Sequence, residues 1–202
     1  MISTVPADRS NGYEAVSSEF IALRTRSSVG AATVRDWAQA LPHGGAVLDL
    51  GCGHGVPISR VLVDAGFTVY GVDSSPSMIA AFRTSFPDAL AECAAVEESR
   101  FFGRAFDAVV AWGLMFLLTP DAQTNLIHKV ARALKRGGRF LFTAPGQASE
   151  WPDSLTGRTS LSLGSDRYRH ILEAAGLVVL GEADDEGENH YYFMQRFEVG
   201  GG

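Results

Sequence analysis

The sequence predicts an α/β fold: a doubly wound, mostly parallel sheet with helices on both faces and an antiparallel hairpin near the C-terminal end. Three observations carry that prediction. Short apolar runs at 47–50, 67–72, 106–112 and 139–144 alternate with stretches whose apolar residues recur at helical spacing, as in parallel sheets with crossover helices. One of these units holds three glycines at alternate positions, Gly51, Gly53 and Gly55, and closes on an acid, Asp73, which marks it as a nucleotide-type βαβ unit. Finally, runs at Leu177–Glu182 and His190–Val199 flank the acidic turn Asp184-Asp185-Glu186-Gly187-Glu188-Asn189, too short for anything but a hairpin.

Residues 1–12 read as a loose tail broken by Pro6, Asn11 and Gly12. Tyr13, Val16, Phe20 and Leu23 share one helical face, and a second helix is expected from the Ser27 and Ser28 caps through Val34, Trp37 and Leu41, until Pro42 and Gly44 stop it. The first strand runs into the glycines. Pro57 then suits a first helical turn, where its missing N–H costs nothing, and Ile58, Val61, Leu62 and Ala65 continue at helical spacing to Gly66. The strand Phe67–Val72 delivers Asp73. Ser75 and Pro76 cap the next helix, closed by Pro87. A weakly patterned strand at 89–94 follows, then the apolar run Phe106–Trp112, expected to be central and buried on both faces. Helix Asp121–Leu134, the Gly137-Gly138 stop, strand Arg139–Ala144, a long connection from Pro145 to Gly164 and helix Ser165–Ala175 lead to the hairpin. The chain reads as one domain, with cap helices in 1–44, a cofactor-binding core in 45–144 and a substrate loop, last helix and hairpin in 145–202.

Composition narrows the function. With 46% hydrophobic and 20% charged residues the chain is ordinary globular protein, and its net charge of −6 opposes nucleic acid and anionic membranes as partners. Lysine occurs only as Lys129 and Lys135, so there is no polybasic run. Cys52 and Cys93 are the only cysteines, in segments that read as buried or loop-forming, and they support neither a disulfide framework nor a zinc site; no metal is expected. The N-terminus lacks a signal-peptide layout, and the longest apolar run, Ala108–Leu118, is short of a membrane span, so a cytoplasmic location is expected.

The glycine turn discriminates between cofactors. A dinucleotide fingerprint spaces its glycines GxGxxG; here Gly55 falls one position early and Val56 stands where that pattern needs glycine. Asp49-Leu50-Gly51-Cys52-Gly53-His54-Gly55 instead resembles the first motif of the class I S-adenosylmethionine-dependent methyltransferases. The resemblance extends to Gly71-Val72-Asp73-Ser74-Ser75-Pro76-Ser77-Met78, to Phe106-Asp107-Ala108-Val109-Val110-Ala111-Trp112 and to Leu134-Lys135-Arg136-Gly137-Gly138-Arg139-Phe140, in the family's order. It implies a seven-stranded sheet with the last strand inserted between the fifth and sixth.

Ligands of open parallel sheets bind beyond the carboxyl ends of the strands. There Asp73, about 20 residues past the first glycine, is the expected acceptor for both ribose hydroxyls. Gly51, Cys52, Gly53 and Gly55 are expected under the methionine portion of the cofactor, and Asp49 either organises the turn or meets the donor's ammonium. Ser74 and Met78 are placed to flank adenine, Met78 reading equally as core; the resemblance implies Ala95-Val96-Glu97 around adenine, and since the family's acid near position 95 is missing, Glu97 or backbone groups take its place. Trp112 reads equally as core or as an aromatic face near the sulfonium. His54 reads as a solvent-facing loop residue, and Arg24 and Arg26 as helix arginines able to meet a carboxylate.

On the acceptor side, the 145–164 connection supplies Trp151 and Arg158, and the last strand supplies His190 and Tyr192. His190 is the titratable base best placed by topology, against the commoner structural role of a lone strand histidine. Tyr13 resembles the aromatic residue that closes over the donor in the family. The expected function is transfer of a methyl group from S-adenosylmethionine to a small-molecule acceptor. The alternatives are action on RNA or protein, and a silent member that binds the donor only; a nicotinamide oxidoreductase is a distant third. Acceptor identity and oligomeric state stay open.

Overall fold

A computed structural model describes residues 8–197. Its main sheet joins seven strands: β1 (Ala46–Leu50), β2 (Thr68–Asp73), β3 (Leu90–Cys93), β4 (Phe106–Ala111), β5 (Leu134–Thr143), β8 (Leu177–Asp184) and β9 (His190–Arg196). Their spatial order is β3-β2-β1-β4-β5-β9-β8, and only β9 runs antiparallel to its neighbours. The expected architecture and the inserted last strand are therefore both present; Glu198 and Val199, included in the expected last strand, lie outside the described residues, as do 1–7.

Strand alternation sorts the core into two layers. Leu48, Leu50, Val109, Phe140, Phe142 and Tyr192 face α5 (Pro120–Ala133) and α6 (Ser165–Ala174). Val47, Val110, Leu141 and Tyr191 face α2 (Ala31–Ala38), α3 (Ile58–Asp64) and α4 (Pro76–Ser85). Both faces of β1 and β4 are thus covered, which is why those strands read as unbroken apolar runs. Ser75 caps α4 as expected, its hydroxyl accepting from the Met78 N–H, and Thr119 does the same for α5 through Ala122.

Four expectations need correction. The first helix, α1, covers Ser17–Thr25 rather than beginning at Tyr13, because Asp8 and Ser10 organise 10–14 as turns: Asp8 accepts from the Ser10 and Gly12 amides, and Ser10 Oγ from the Glu14 amide. Helix α2 begins after Gly30 at φ 86°, without the expected serine cap. Strand β5 starts at Leu134, directly after α5, with an irregularity opposite Phe106–Ala108 where Gly137 turns at φ 71°. The fourth concerns the expected structureless connection after β5. It folds into a second, two-stranded sheet, β6 (Ser149–Pro152) against β7 (Thr159–Ser162), whose turn is fixed by Asp153 accepting from the Leu155 and Thr156 amides. No helix among the described residues is long and apolar enough to cross a membrane.

Candidate active site

The sheet order reverses between β1 and β4, and the loops leaving β1, β2, β3 and β4 there bound an open cleft of about 1090 Å³, mouth included. The N-terminal segment covers it. Glu14 binds the start of α4 through Ser75 and Ser77, while Arg9 pairs with Glu98 and accepts from Ser74 Oγ at its carbonyl (3.1 Å).

The floor of the cleft is the glycine turn, with Gly51, Gly53 and Gly55 all at positive φ. Gly55 has a second reason to be glycine, since a Cβ there would stand 2.3 Å from Phe86 and 2.9 Å from Phe82. Asp73 locks this turn to the next one: one carboxylate oxygen accepts from the Gly53 N–H and the other from the Ser75 N–H, each at 2.8 Å. Each oxygen keeps a further lone pair, and Asp73 lines the cleft. Burial pushes its carboxyl above the usual range against the pull of these two amides. Asp49 is buried beneath the turn and holds not the turn's amides but the Ser59 hydroxyl of α3, at 2.5 Å. Burial raises its pKa to about 7, with Ser59 opposing. Cys52, Ser74, Met78, Ala95, Val96 and Glu97 all line the same cleft. Lys129, which sequence reasoning treated only as a scarce charge, holds the 95–97 segment by donating to the carbonyls of Val96 (2.7 Å) and Glu97 (3.0 Å). Cys93, by contrast, is exposed at the end of an edge strand rather than buried.

His54 corrects the expectation most sharply, since it is buried against α1 rather than facing solvent. Thr25 Oγ1 donates its single hydrogen to the Ile21 carbonyl at 2.7 Å, so at the 3.2 Å contact with His54 the ring Nε2 must be the donor. Burial, with Arg24 nearby, keeps the ring pKa below its ordinary value, and the neutral ring then carries a lone pair on Nδ1, which has no partner among the described residues. At the same end of the cleft the Arg24 guanidinium lies 4.2 Å over Trp112, covering one face of that ring. Trp112 in turn donates through Nε1 to Tyr191 Oη (2.8 Å), whose hydroxyl donates to Asp185 (2.6 Å).

A second cavity opens beside the first, between the β6–β7 hairpin and the β8–β9 turn. Tyr13 and Phe116 line both, so the two meet there. Trp151 packs on Phe116 with ring centroids 5.7 Å apart, and the Tyr13 hydroxyl donates to Asp153 at 2.9 Å. Burial and the Asp153 carboxylate both raise the Tyr13 pKa, keeping it a phenol.

His190 lines this cavity but is not disposed as a base. Nδ1 faces Asp184 at 2.7 Å and Nε2 faces Glu182 at 2.9 Å, so each ring nitrogen is engaged by a carboxylate, an arrangement that favours the imidazolium and presents no free lone pair to the cavity. Burial works against that charge, but the two carboxylates outweigh it and hold the pKa above the ordinary histidine value. Tyr192 lies fully buried, stacked on Phe142 at 4.6 Å with its hydroxyl 2.8 Å from Ser165, and lines neither cavity. Arg158 also lines neither; it pairs with Asp8 at 2.7 Å and ties the hairpin to the N-terminal segment.

This cleft, with its acid-pinned glycine turn, is the one expected for an adenosine carrying an amino-acid tail. A methyltransferase-domain family model matches residues 47–138. A putative methyltransferase of Bacillus subtilis, YqeM, is 32% identical over 184 residues, covering 80% of this chain and 74% of that protein. An uncharacterized methyltransferase of Synechocystis, sll0829, is 32% identical over 112 residues; the match spans 55% of this chain and about half, 52%, of that protein. Among solved structures, the Burkholderia thailandensis 1,6-didemethyltoxoflavin-N1-methyltransferase, with its substrate and S-adenosylhomocysteine bound, superposes with a TM-score of 0.71 at 17% identity, covering 98% of this chain and 94% of that one. The chain belongs to the class I S-adenosylmethionine-dependent methyltransferases.

Proposed function

We propose that this protein transfers a methyl group from S-adenosylmethionine to a small-molecule acceptor held between Trp151 and the β8–β9 turn. The observation that carries the reading is the meeting of two cavities at Tyr13 and Phe116, one of them floored by the glycine turn and Asp73. The donor set suits this cofactor. Asp73 offers lone pairs to a ribose diol, the segment 95–97 offers a surface for adenine, and Arg24 offers a guanidinium to a carboxylate. When bound, the cofactor supplies a methyl carbon already made electrophilic by its sulfonium. The residues of the chain then have to align and shield rather than activate: Tyr13, held by Asp153, and Phe116, backed by Trp151, exclude water from the junction and restrict the approach of the acceptor.

A small acceptor suits a cavity walled by two hairpins of the same chain, and the net charge of −6 opposes a polyanionic one. The Burkholderia thailandensis methyltransferase, with 1,6-didemethyltoxoflavin bound, is in keeping with the same reading. Calorimetry with S-adenosylhomocysteine and with NAD tests the donor half. Binding of NAD but not of S-adenosylhomocysteine would refute it. Release of S-adenosylhomocysteine from S-adenosylmethionine in the presence of a small acceptor tests the other half.

A further inference from the structure

We infer that the acceptor atom is an amine nitrogen, selected by the carboxylates and aromatic rings of the second cavity; this rests on the methyltransferase reading above. The cavity offers Asp153, Asp184 and Glu188 against a single cation, His190, and among the described residues no lysine or arginine lines it. Asp153 is buried and mostly engaged, its Oδ1 accepting from the Leu155 and Thr156 amides and the Thr156 hydroxyl and its Oδ2 from Tyr13, so it contributes chiefly its field. Asp184 spends one oxygen on His190, and its side chain remains 71% exposed. The aromatic wall is Tyr13, Phe116 and Trp151, faces that attract a cation.

The nucleophile classes respond differently to these walls. A carboxylate, phenolate or thiolate would approach three negative groups in a site built without a facing guanidinium or ammonium. An alcohol needs its proton removed as it attacks, and the imidazole that lines the cavity has both nitrogens committed to Asp184 and Glu182. An aliphatic amine arrives as its ammonium and first gives one proton to water, which its reversible ionisation allows without a side-chain base; the neutral amine can then attack. Its lone pair forms the C–N bond as the electron pair of the C–S bond returns to sulfur, and the new ammonium releases its proton to water. Positive charge therefore moves from sulfur to nitrogen during the reaction, toward the side where the carboxylates stand, and their attraction grows as the transition state forms.

The test is a panel of small aliphatic and benzylic amines, each beside its hydroxyl, carboxyl and thiol isostere, incubated with the protein and S-adenosylmethionine and read by product mass and S-adenosylhomocysteine release. Methylation of amines, with the isosteres silent, is the expected result. Asp184→Asn and Glu188→Gln should then raise the KM for the amine about tenfold each, roughly one hydrogen bond to a charged group, while calorimetry with S-adenosylhomocysteine stays unchanged. Transfer confined to oxygen, sulfur or carbon, or no transfer to any amine by a preparation that binds S-adenosylhomocysteine, overturns the inference. A folded preparation that does not bind S-adenosylhomocysteine overturns the donor reading beneath it, and is told apart by that same calorimetric measurement.

Discussion

Removing the Asp73 carboxylate tests the donor cleft at the point where structure and binding coincide. In Asp73→Ala, the Gly53 and Ser75 amides lose their acceptors and a bound ribose loses its partner. Hydrogen bonds to a charged group are worth about 1.5–3 kcal/mol each. With two ribose hydroxyls and an open cleft, the low end applies to each, which gives about 3 kcal/mol, or roughly 150-fold in Kd. Stability should also fall, by a separate balance. The orphaned amides cost about 1–3 kcal/mol each when buried, but the substitution also removes a carboxylate whose burial already disfavours its charge. Asp73→Asn separates the two effects, because its amide keeps one acceptor oxygen and turns a donor NH₂ toward the other backbone N–H. Calorimetry with S-adenosylhomocysteine and urea denaturation on the same preparations supply both readouts. A folded Asp73→Ala protein that binds the ligand as tightly as wild type would refute the assignment of Asp73 to the ribose.

The remaining predictions draw on other parts of the fold. Gly55→Ala combines a left-handed φ of 86° with a Cβ 2.3 Å from Phe86, and should lower stability in urea by about 2–4 kcal/mol; a change below ~1 kcal/mol would mean that the turn relaxes freely. Tyr191→Phe leaves the Trp112 N–H and one Asp185 oxygen without their shared partner, which should cost about 1–3 kcal/mol and shift the Trp112 emission; an unchanged spectrum and midpoint would count against that chain of bonds. His190 is faced by Asp184 and Glu182 from β8, with Arg169 of α6 bound to Glu182. Because its folded pKa lies above the unfolded value of ~6.5, its contribution is full below that pH and fades as pH rises through the folded value. Urea midpoints taken across that window should therefore fall with pH in wild type and stay flatter in His190→Gln. Trp151→Ala should bind S-adenosylhomocysteine normally and slow transfer to whatever acceptor is found, since Trp151 lines the second cavity only; a weakened donor affinity would place it elsewhere.

The turn that floors the first cleft was legible in the sequence because its requirements are local. Glycine at alternate positions, an acid closing the next strand and a Ser-Pro cap are local requirements of turns and helix ends, and Gly51 to Gly55, Asp73 and Ser75 met them where expected. The second cavity is made by strand register and side-chain pairings that leave little local trace. Neither Asp184 nor Glu182 announces that it will close both nitrogens of His190, and only the β8–β9 register brings them together. Tyr192 was misplaced for a related reason: alternation sends Tyr191 and Tyr192 to opposite faces of β9, and sequence alone does not say which face meets α6. His54 was misjudged because the helix that buries it lies about thirty residues upstream, across a chain reversal. The hairpin at 149–162 escaped because Pro152 and the polar Ser and Thr residues around it resemble an irregular loop, although Pro152 falls at the last position of its strand.

That hairpin has a consequence for how the molecule tolerates change. Its two strands pair with each other and with no strand of the main sheet, and both of its roots lie between β5 and α6. It is tied down by Tyr13 to Asp153, by Arg158 to Asp8, by Ser162 to the Pro145 carbonyl and by Gln123 to the Leu161 carbonyl. Lengthening or replacing it shifts no register among the seven principal strands and leaves the glycine turn untouched. It is a graftable wall, a segment through which the second cavity can be reshaped by insertion, deletion or exchange while the glycine turn and Asp73 are inherited intact.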